Sequence, residues 1–455
     1  MFTRTRPALE VHAYLGNPGP YEREIERLHE RYLFTRRLYE LQQGGVSLAS
    51  VSQNKSRLAR LMSGTVARGE YQLEPACVKR IVVDGKERIV YALRLTDLIV
   101  QGVVAGLIEK AMTPRLSDRL FSYRKGISWW AAVSDCARTV REHRASHPDP
   151  RTRGLYVLRR DIDSYTDSIP VGSRSCVWQM LRSVLDPTGR ASSIQPSDWA
   201  LIENVVRQEA FVRQRGTFSM FRGVPTGQVI SCVLFNLYLT EFDHELAAIP
   251  DSFYARYSDD IIFAHPSPTI AQETGARIEN LLNKLGLQAN ADKSRDFYLT
   301  GAGRRSSDWP DTEPTTTVPF LGCRVSAEGT VSLSRKKTRI FLREVEARAI
   351  RTAQALGTRP QTTVGRAVCA VVNRMTNPGT EDFQQRSAAL LRRAVTDRHQ
   401  LRQLDHWIAR IVLGAVAGRR DVRAFRQIAY RTVRRSWGLQ SMLHARNRWP
   451  RTTSS

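Results

Sequence analysis

Apolar residues recur at helical spacing early in the chain. Leu28, Tyr32, Leu33, Leu38 and Leu41 mark one face between Tyr21 and Gln43, and Pro20 stands where a first helical turn would begin. The pattern changes to strand character at Val78–Val83 and Lys86–Tyr91. Asp84-Gly85 lies between these runs, which predicts a β-hairpin. Thr96 is placed to cap a helix over 97–112, and a second helix is expected over 129–143. After a linker at 146–153, the strand-like run Leu155–Arg160 leads straight into Asp161, Asp163 and Asp167. Helical stretches are expected at 176–185 and 199–212. A loop, Gly223-Val224-Pro225-Thr226-Gly227, then opens a helix reaching Phe242. Ala255–Ala264 reads as two short strands joined at a tight turn that carries Asp259 and Asp260. An amphipathic helix over 270–285 stops at Gly286. Val318–Val325 reads as a strand with a mid-run glycine, Gly329 punctuates a short hairpin, and the chain from Ser334 on is helical.

Charge narrows the class. The 455 residues carry a net charge of +25. Residues 334–455 hold 26 Lys and Arg against 7 Asp and Glu, which is +19 of that total. An enzyme of small metabolites has no need of such a balance, whereas a nucleic-acid binder does. Lys55, Arg57, Arg60 and Arg68 form a further basic face, read as solvated with RNA contact as the alternative. The six cysteines form no C-x-x-C pair, so they read as reduced thiols rather than a zinc ribbon or disulfide framework. The start, MFTRTRPALEV, has no apolar leader core, and no run of 18 apolar residues exists. The expectation is a cytoplasmic protein without membrane contact.

Two adjacent carboxylates at a hairpin tip repel each other unless a cation neutralises them. Asp259-Asp260 therefore reads as a Mg²⁺ site, with Mn²⁺ as the alternative ion, although an isolated Asp-Asp turn is more often merely solvated. Aspartate is disfavoured in strands, so Asp161 at a strand end asks for a reason. Coordination by its carboxylate together with a neighbouring backbone carbonyl supplies one, with a structural turn acid as the alternative. The basic hairpin with Lys79, Arg80, Lys86 and Arg88 could reach over a triphosphate.

Taken in order, these stretches resemble the reverse transcriptase family over roughly residues 78–350. Asp161-Ile162 through Ile169 is similar to its first palm motif. Gly223–Gly227 with Ser231, Asn236 and Tyr238-Leu239 is similar to its second, and Tyr257-Ser258-Asp259-Asp260 to its Y-x-D-D hairpin. Leu285-Gly286-Leu287 with Lys293-Ser294 resembles the fourth motif, and Phe320-Leu321-Gly322 the primer-grip hairpin. Arg88, Asp97 and Val100-Gln101, then Tyr123-Arg124-Lys125-Gly126, match fingers blocks of bacterial members.

The resemblance implies an α+β right-hand polymerase with an RRM-like antiparallel palm sheet. An N-terminal helical extension would span 1–70, fingers 71–153, palm 154–333 with a fingers insertion at about 171–220, and a basic helical thumb and extension 334–455. Asp161, Asp259 and Asp260 would be catalytic and, with the Ile162 carbonyl, metal-binding; Lys293 would be the general acid for pyrophosphate. Arg80, Lys86, Arg88, Ile162, Tyr165, Thr166, Pro225, Gly227 and Gln228 would contact the nucleotide. Tyr257, Phe320, Leu321, Gly322, Arg335, Lys336 and Lys337 would contact primer and template. The implied partners are dNTPs, an RNA template and a DNA product, with a homo-oligomer or an accessory defence protein in addition. Trp437 and Trp449 would stack on bases or sit in the core.

Several positions depart from the family pattern. Thr166 stands where the family usually has Phe or Tyr screening the ribose 2′-OH, with Tyr165 beside it, so sugar discrimination is expected to be weak unless Tyr165 takes over. Val82 replaces the usual lysine just before the Asp84-Gly85 turn. Thr226-Gly227-Gln228-Val229-Ile230-Ser231-Cys232 differs from the Q-G-x-x-x-S-P of group II intron and retron enzymes, and no retron V-T-G signature occurs near Phe320. The chain thus looks like a stand-alone bacterial reverse transcriptase, which implies antiphage defence on a non-coding RNA template. A template-independent or protein-primed DNA polymerase is the second reading, and a catalytically silent RNA-binding scaffold the third.

Overall fold

A computed structural model describes residues 10–33, 42–43, 46–83, 86–147, 154–187, 189, 194–208, 210–212, 216–218, 223–224, 227–376, 394–418 and 424–447. In chain order its principal elements begin with α1 (Pro18–Tyr32), α2 (Lys55–Ala67), β1 (Ala76–Val83), β2 (Lys86–Ala92), α3 (Leu95–Met112), α4 (Trp129–Ser146) and β3 (Leu155–Asp161). They continue with α5 (Cys176–Leu185), α6 (Pro196–Arg207), β4 (Ala210–Val212), β5 (Gly216–Phe218), α7 (Val229–Tyr238), β6 (Phe253–Tyr257), β7 (Asp260–His265) and α8 (Pro268–Lys284). The C-terminal part holds β8 (Arg295–Leu299), β9 (Glu313–Thr315), β10 (Thr317–Phe320), β11 (Cys323–Ser326), β12 (Val331–Leu333), α9 (Arg335–Leu356), α10 (Gln361–Thr376) and α11 (Arg398–Ala417).

Most boundaries follow local chemistry. The Asn17 side chain caps α1 by accepting from the Gly19 N–H at 2.8 Å. The Ser334 side chain caps α9 through the Lys337 N–H at 3.3 Å, and Gly286 ends α8 at φ +69°. Three expectations are corrected. The helix expected from Thr96 starts at Leu95, with Arg94 at its cap and Asp97 in its first turn. The helix expected over 199–212 starts at Pro196, suited to a first helical turn, and ends at Arg207. Ala210–Val212 instead pairs with Ala76 and Cys77 as a strand. The 318–325 run is a hairpin rather than one strand, because Leu321 and Gly322 both take positive φ and reverse the chain.

The chain divides into two compact units. One comprises Met1–Lys125, Arg160–Pro250 and Thr274–Ser294; the other comprises Gly126–Arg159, Asp251–Glu273 and Arg295–Ser455. The division passes through β3 itself, between Arg159 and Arg160.

The first unit is built around α3. Ile99, Val100, Val103, Val104, Leu107 and Ile108 are all buried, so the helix is apolar nearly all round, the signature of a core helix. It packs against α1, α5 and α7. Gly102 leaves room for the Glu24 side chain of α1, whose carboxyl would lie 2.2 Å from a Cβ there. A four-stranded sheet of order β2-β1-β4-β5 also belongs to this unit, and its β1–β2 register runs from Cys77↔Ala92 to Val83↔Lys86.

Apart from the Arg160–Asp161 end of β3, the second unit holds a sheet of strand order β9-β8-β3-β7-β6, with Asp259 and Asp260 at its β6–β7 hairpin. Pairs β8–β3 and β6–β7 are antiparallel. The edge strand β9 runs parallel to β8, so the sheet is not wholly antiparallel as expected. The long return through 300–312 supplies the crossover that a parallel pair requires. Residues Leu155–Leu158, Phe253–Arg256 and Ile261–His265 are buried without alternation, so this sheet is covered on both faces. A smaller sheet, β10-β11-β12, leads into α9, α10 and α11. Trp437 is a core residue of this unit, seated where a Cβ on Gly365 would approach its ring to 2.3 Å; Trp449 lies outside the described residues.

Candidate active site

In the first unit, the chain just after β3 is zipped to the chain just after α8. The Asp161 carbonyl accepts the Asn290 N–H at 2.7 Å, and the Asp163 N–H reaches the Gln288 carbonyl at 2.8 Å. These bonds flank an antiparallel bridge between Ile162 and Ala289. The Asn290 side chain ties the pieces together. Its Nδ2 donates to Asp163 Oδ1 at 3.0 Å, and its Oδ1 accepts from the Lys293 N–H at 3.2 Å. Lys293 Nζ then donates to Asp161 Oδ1 at 2.5 Å. The ammonium is 56% exposed and the carboxylate only 13%, so the cation stands on the solvent side of the acid. Asn290 was not anticipated from sequence. Its one signal was its place between the Gly286 helix stop and Lys293.

The segment after Asp163 turns sharply. Ser164 takes φ 45°, and a one-turn helix, Tyr165–Ser168, follows. The Tyr165 ring stacks on Phe235 at 4.8 Å and its hydroxyl donates to the Phe235 carbonyl at 2.7 Å. Tyr165 is buried. This corrects the expectation of a nucleotide contact there: its polar tip is already committed in the core. Thr166, half-buried, receives the Val224 N–H on its carbonyl at 2.7 Å, while the Gly223 N–H reaches the Ile169 carbonyl at 2.7 Å. At Gly223 (φ +88°) a Cβ would come within 3.1 Å of the Asp167 backbone, so glycine is what lets this loop lie against the turn. Gly227 (φ +90°) faces open space.

Gln228 is buried, accepting from Gln101 Nε2 and donating to the Tyr91 carbonyl at 3.3 Å. It is a core clamp rather than the nucleotide contact expected of it, because both ends of its amide are used inside the fold. Asp97, from the same fingers pattern, is likewise internal, accepting from the Tyr71 hydroxyl at 2.7 Å and from Arg94 Nε at 3.1 Å. Arg80 is exposed on β1 and pairs with Glu87 at 3.5 Å. Lys86 and Arg88 lie on β2 opposite Val83 and Ile81. Pro225 lies outside the described residues.

In the second unit, Tyr257 pairs with Asp260, so Ser258-Asp259 forms a two-residue loop between β6 and β7. Ser258 carries the positive φ, 60°, that such a tight hairpin needs at its first position. Arg256, wholly buried, donates to the Ser258 carbonyl at 3.1 Å and pins this turn from within. Arg159, on β3, grips Asp260 with two bonds, Nε to Oδ1 and Nη2 to Oδ2, both 3.1 Å. Sheet order sets β3 beside β7. Neither Arg159 nor Arg256 was assigned a role from sequence, although an arginine inside a buried apolar strand is the signal that finds both.

Each unit by itself offers a carboxylate at a strand end beside a cation, Asp161 with Lys293 in the first and Asp260 with Arg159 in the second, and carboxylates are the hard oxygen donors that suit a divalent cation. Among the described residues no group of three or more His, Cys, Asp or Glu side chains is gathered into a ready-made metal cage. The geometry gives the reason. Asp260 turns both oxygens to Arg159, and Asp161 turns one oxygen to Lys293.

At the expected primer grip, Phe320 is a core residue. Leu321 (φ 49°) and Gly322 (φ 74°) form the turn. Lys337 Nζ donates to the Leu321 carbonyl at 2.7 Å and lies 4.1 Å from the centre of the Trp129 ring. Burial pushes the Lys337 ammonium pKa below the ordinary lysine value. Phe320 is therefore an internal strut of this turn and Lys337 is half-buried against it, whereas Arg335 and Lys336 are exposed at the start of α9.

Residues 84–325 match the family described as "Reverse transcriptase (RNA-dependent DNA polymerase)". The chain belongs to the reverse transcriptase family. It is an RNA-directed DNA polymerase, a nucleotidyltransferase, with the mixed α+β fold of a right-hand polymerase. Among solved structures, an apo telomerase from Candida tropicalis is similar at 11% identity and a TM-score of 0.44, over 95% of this chain and 88% of that one. A telomerase from Candida albicans complexed with a fragment of telomeric RNA is similar at 11% identity and a TM-score of 0.42, over 84% and 67%. A C-terminally truncated C. tropicalis telomerase gives 14% identity and 0.42, over 59% of this chain and 58% of that one. A search of curated proteins gives no match. Enzymes of this family generally use divalent metal ions. Among the described residues, no helix of this reverse transcriptase is long and apolar enough to cross a membrane.

Proposed function

We propose that this reverse transcriptase copies a non-coding RNA into DNA as a stand-alone bacterial enzyme of antiphage defence, working in the cytoplasm. The observation that carries the catalytic part is the Asn290–Asp161–Lys293 assembly, in which a nearly buried carboxylate is paired with a solvent-side ammonium. A silent scaffold has no need to maintain it. The defence role rests on the motif pattern alone: a second palm motif unlike that of mobile-element enzymes, with no retron signature. Asp161, Asp259 and the Ile162 carbonyl would hold Mg²⁺, or Mn²⁺, and bound there the ions would lower the pKa of the primer hydroxyl and neutralise the departing pyrophosphate.

The chain's own groups do the remainder. Arg159 holds Asp260 still, so that the hairpin tip presents Asp259 in one orientation. The Arg256 bond to the Ser258 carbonyl keeps the tip in its tight turn. Lys293, on the solvent side of Asp161, donates its proton to the leaving pyrophosphate oxygen. Arg88, with Arg80 and Lys86, grips the triphosphate. Exposed Arg335 and Lys336 meet the template–primer backbone, a contact that is sequence-independent and weakened by salt.

The test is sequencing of nucleic acid that co-purifies with the protein expressed from its native locus, wild type beside D259A/D260A. The expected result is DNA complementary to one bound RNA, absent from the double mutant. Low-complexity DNA without an RNA counterpart would replace this reading with untemplated synthesis. RNA alone in both samples, with defence intact in the mutant, would overturn it in favour of a scaffold.

A further inference from the structure

Helices α9 and α11, with residues of β11 and β12, enclose a groove of about 730 Å³ in the second unit. Its apolar part is formed by Leu342, Ile411 and the ring of Trp407, which is 38% exposed. Five arginines line it against only two acids, Asp397 and Glu346. Asp397 is already in use as the cap of α11, accepting from the His399 and Gln400 N–H groups at 2.8 and 3.2 Å. Arg335, Arg339 and Arg343 recur every four residues along α9, a row of cations about 6 Å apart on one face. Such a row is complemented by a polyanion with regularly spaced charges.

A half-exposed indole beside that row adds a second requirement, a flat apolar group next to each anion. Nucleotides combine the two, because every base has a face that stacks on an aromatic ring. A duplex would offer phosphates but keep its bases stacked within. We propose that the groove binds an unpaired nucleic-acid strand, with one base against Trp407 and successive phosphates along Arg339 and Arg343. The proposal rests on the nucleic-acid-polymerase reading but concerns a groove formed entirely by the C-terminal helices and hairpin of the second unit.

The test measures binding rather than synthesis, so failure of the catalytic reading would not decide it. Full-length protein is titrated against a labelled single-stranded RNA and a blunt RNA–DNA hybrid by fluorescence anisotropy, with W407A, W407F and R339A/R343A beside wild type. W407A is expected to weaken single-strand binding about tenfold, while hybrid binding changes less than about twofold; W407F keeps most of the affinity. R339A/R343A should make the slope of log affinity against log salt shallower by about 1.4 for the single strand. Equal losses on both ligands, or an unchanged single-strand affinity in W407A, would overturn the proposal. So would a W407A or W407F protein that binds normally but loses oligomer mass, which would assign the groove to a second copy of the chain. Should W407A fail to fold, a W407F affinity reduced as far as that of R339A/R343A would likewise overturn it.

Discussion

Replacing Arg159 should disable the hairpin tip without removing any acid. Arg159 is 28% exposed and Asp260 14%, and both N–H···O contacts are 3.1 Å. The pair is thus partly desolvated and bidentate, the geometry in which charge-assisted bonds count for most. A hydrogen bond to a charged group contributes about 1.5–3 kcal/mol net, and removing one partner of a buried pair costs about 3–5 kcal/mol. With both groups still touching water, about 2 kcal/mol of coupling is the reasonable share to reach the reacting geometry, which corresponds to about a 30-fold fall in kcat/KM. R159A should show that fall, and R159K, which keeps the charge but not the fork, should lie between it and wild type. The deciding comparison is a double-mutant cycle in single-turnover primer extension with enzyme in excess. If Arg159 acts by holding Asp260, R159A should cost less than about threefold once D260N is present. An undiminished 30-fold loss in the D260N background would refute the clamp, since Arg159 would then be acting on something else.

The sugar preference should follow Thr166 and not Tyr165. Because Tyr165 is spent in the core, Y165F should lower stability by about 1–2 kcal/mol through the orphaned Phe235 carbonyl and leave the dNTP-to-rNTP ratio unchanged, whereas T166F should raise that ratio; a large wild-type dNTP preference abolished by T166A would contradict weak discrimination. Lys337 makes a pH prediction: its folded pKa is lowered by burial, so between that value and the ordinary lysine value near 10.4 the unfolded chain holds the extra proton and this group's contribution to stability rises with pH. Urea denaturation of K337M against wild type should show that rise missing from the variant, and parallel pH profiles above neutrality would refute it.

What could be read along the chain was whatever local chemistry decides. The β1–β2 hairpin followed from alternation around Asp84-Gly85, the stop of α8 from Gly286, and the tight turn at Ser258-Asp259 from two acids between apolar runs. The order of the motifs was enough to identify a polymerase, because short stretches with turn-forming glycines and strand-end aspartates carry their signal without knowledge of neighbours. Which side chains meet was not legible, since those contacts span long separations. Arg159 finds Asp260 across 101 residues, Lys293 finds Asp161 across 132, and Gln228 finds Gln101 across 127. Sequence reasoning therefore assigned outward roles to Tyr165 and Gln228 by position in a motif. Tertiary packing turned each inward, because a buried carbonyl or amide had to be paired. The acids, the fold class and the basic C-terminal helices were determined by the sequence alone; only the folded chain decided which partners hold those acids in place and which of the expected contacts still face outward.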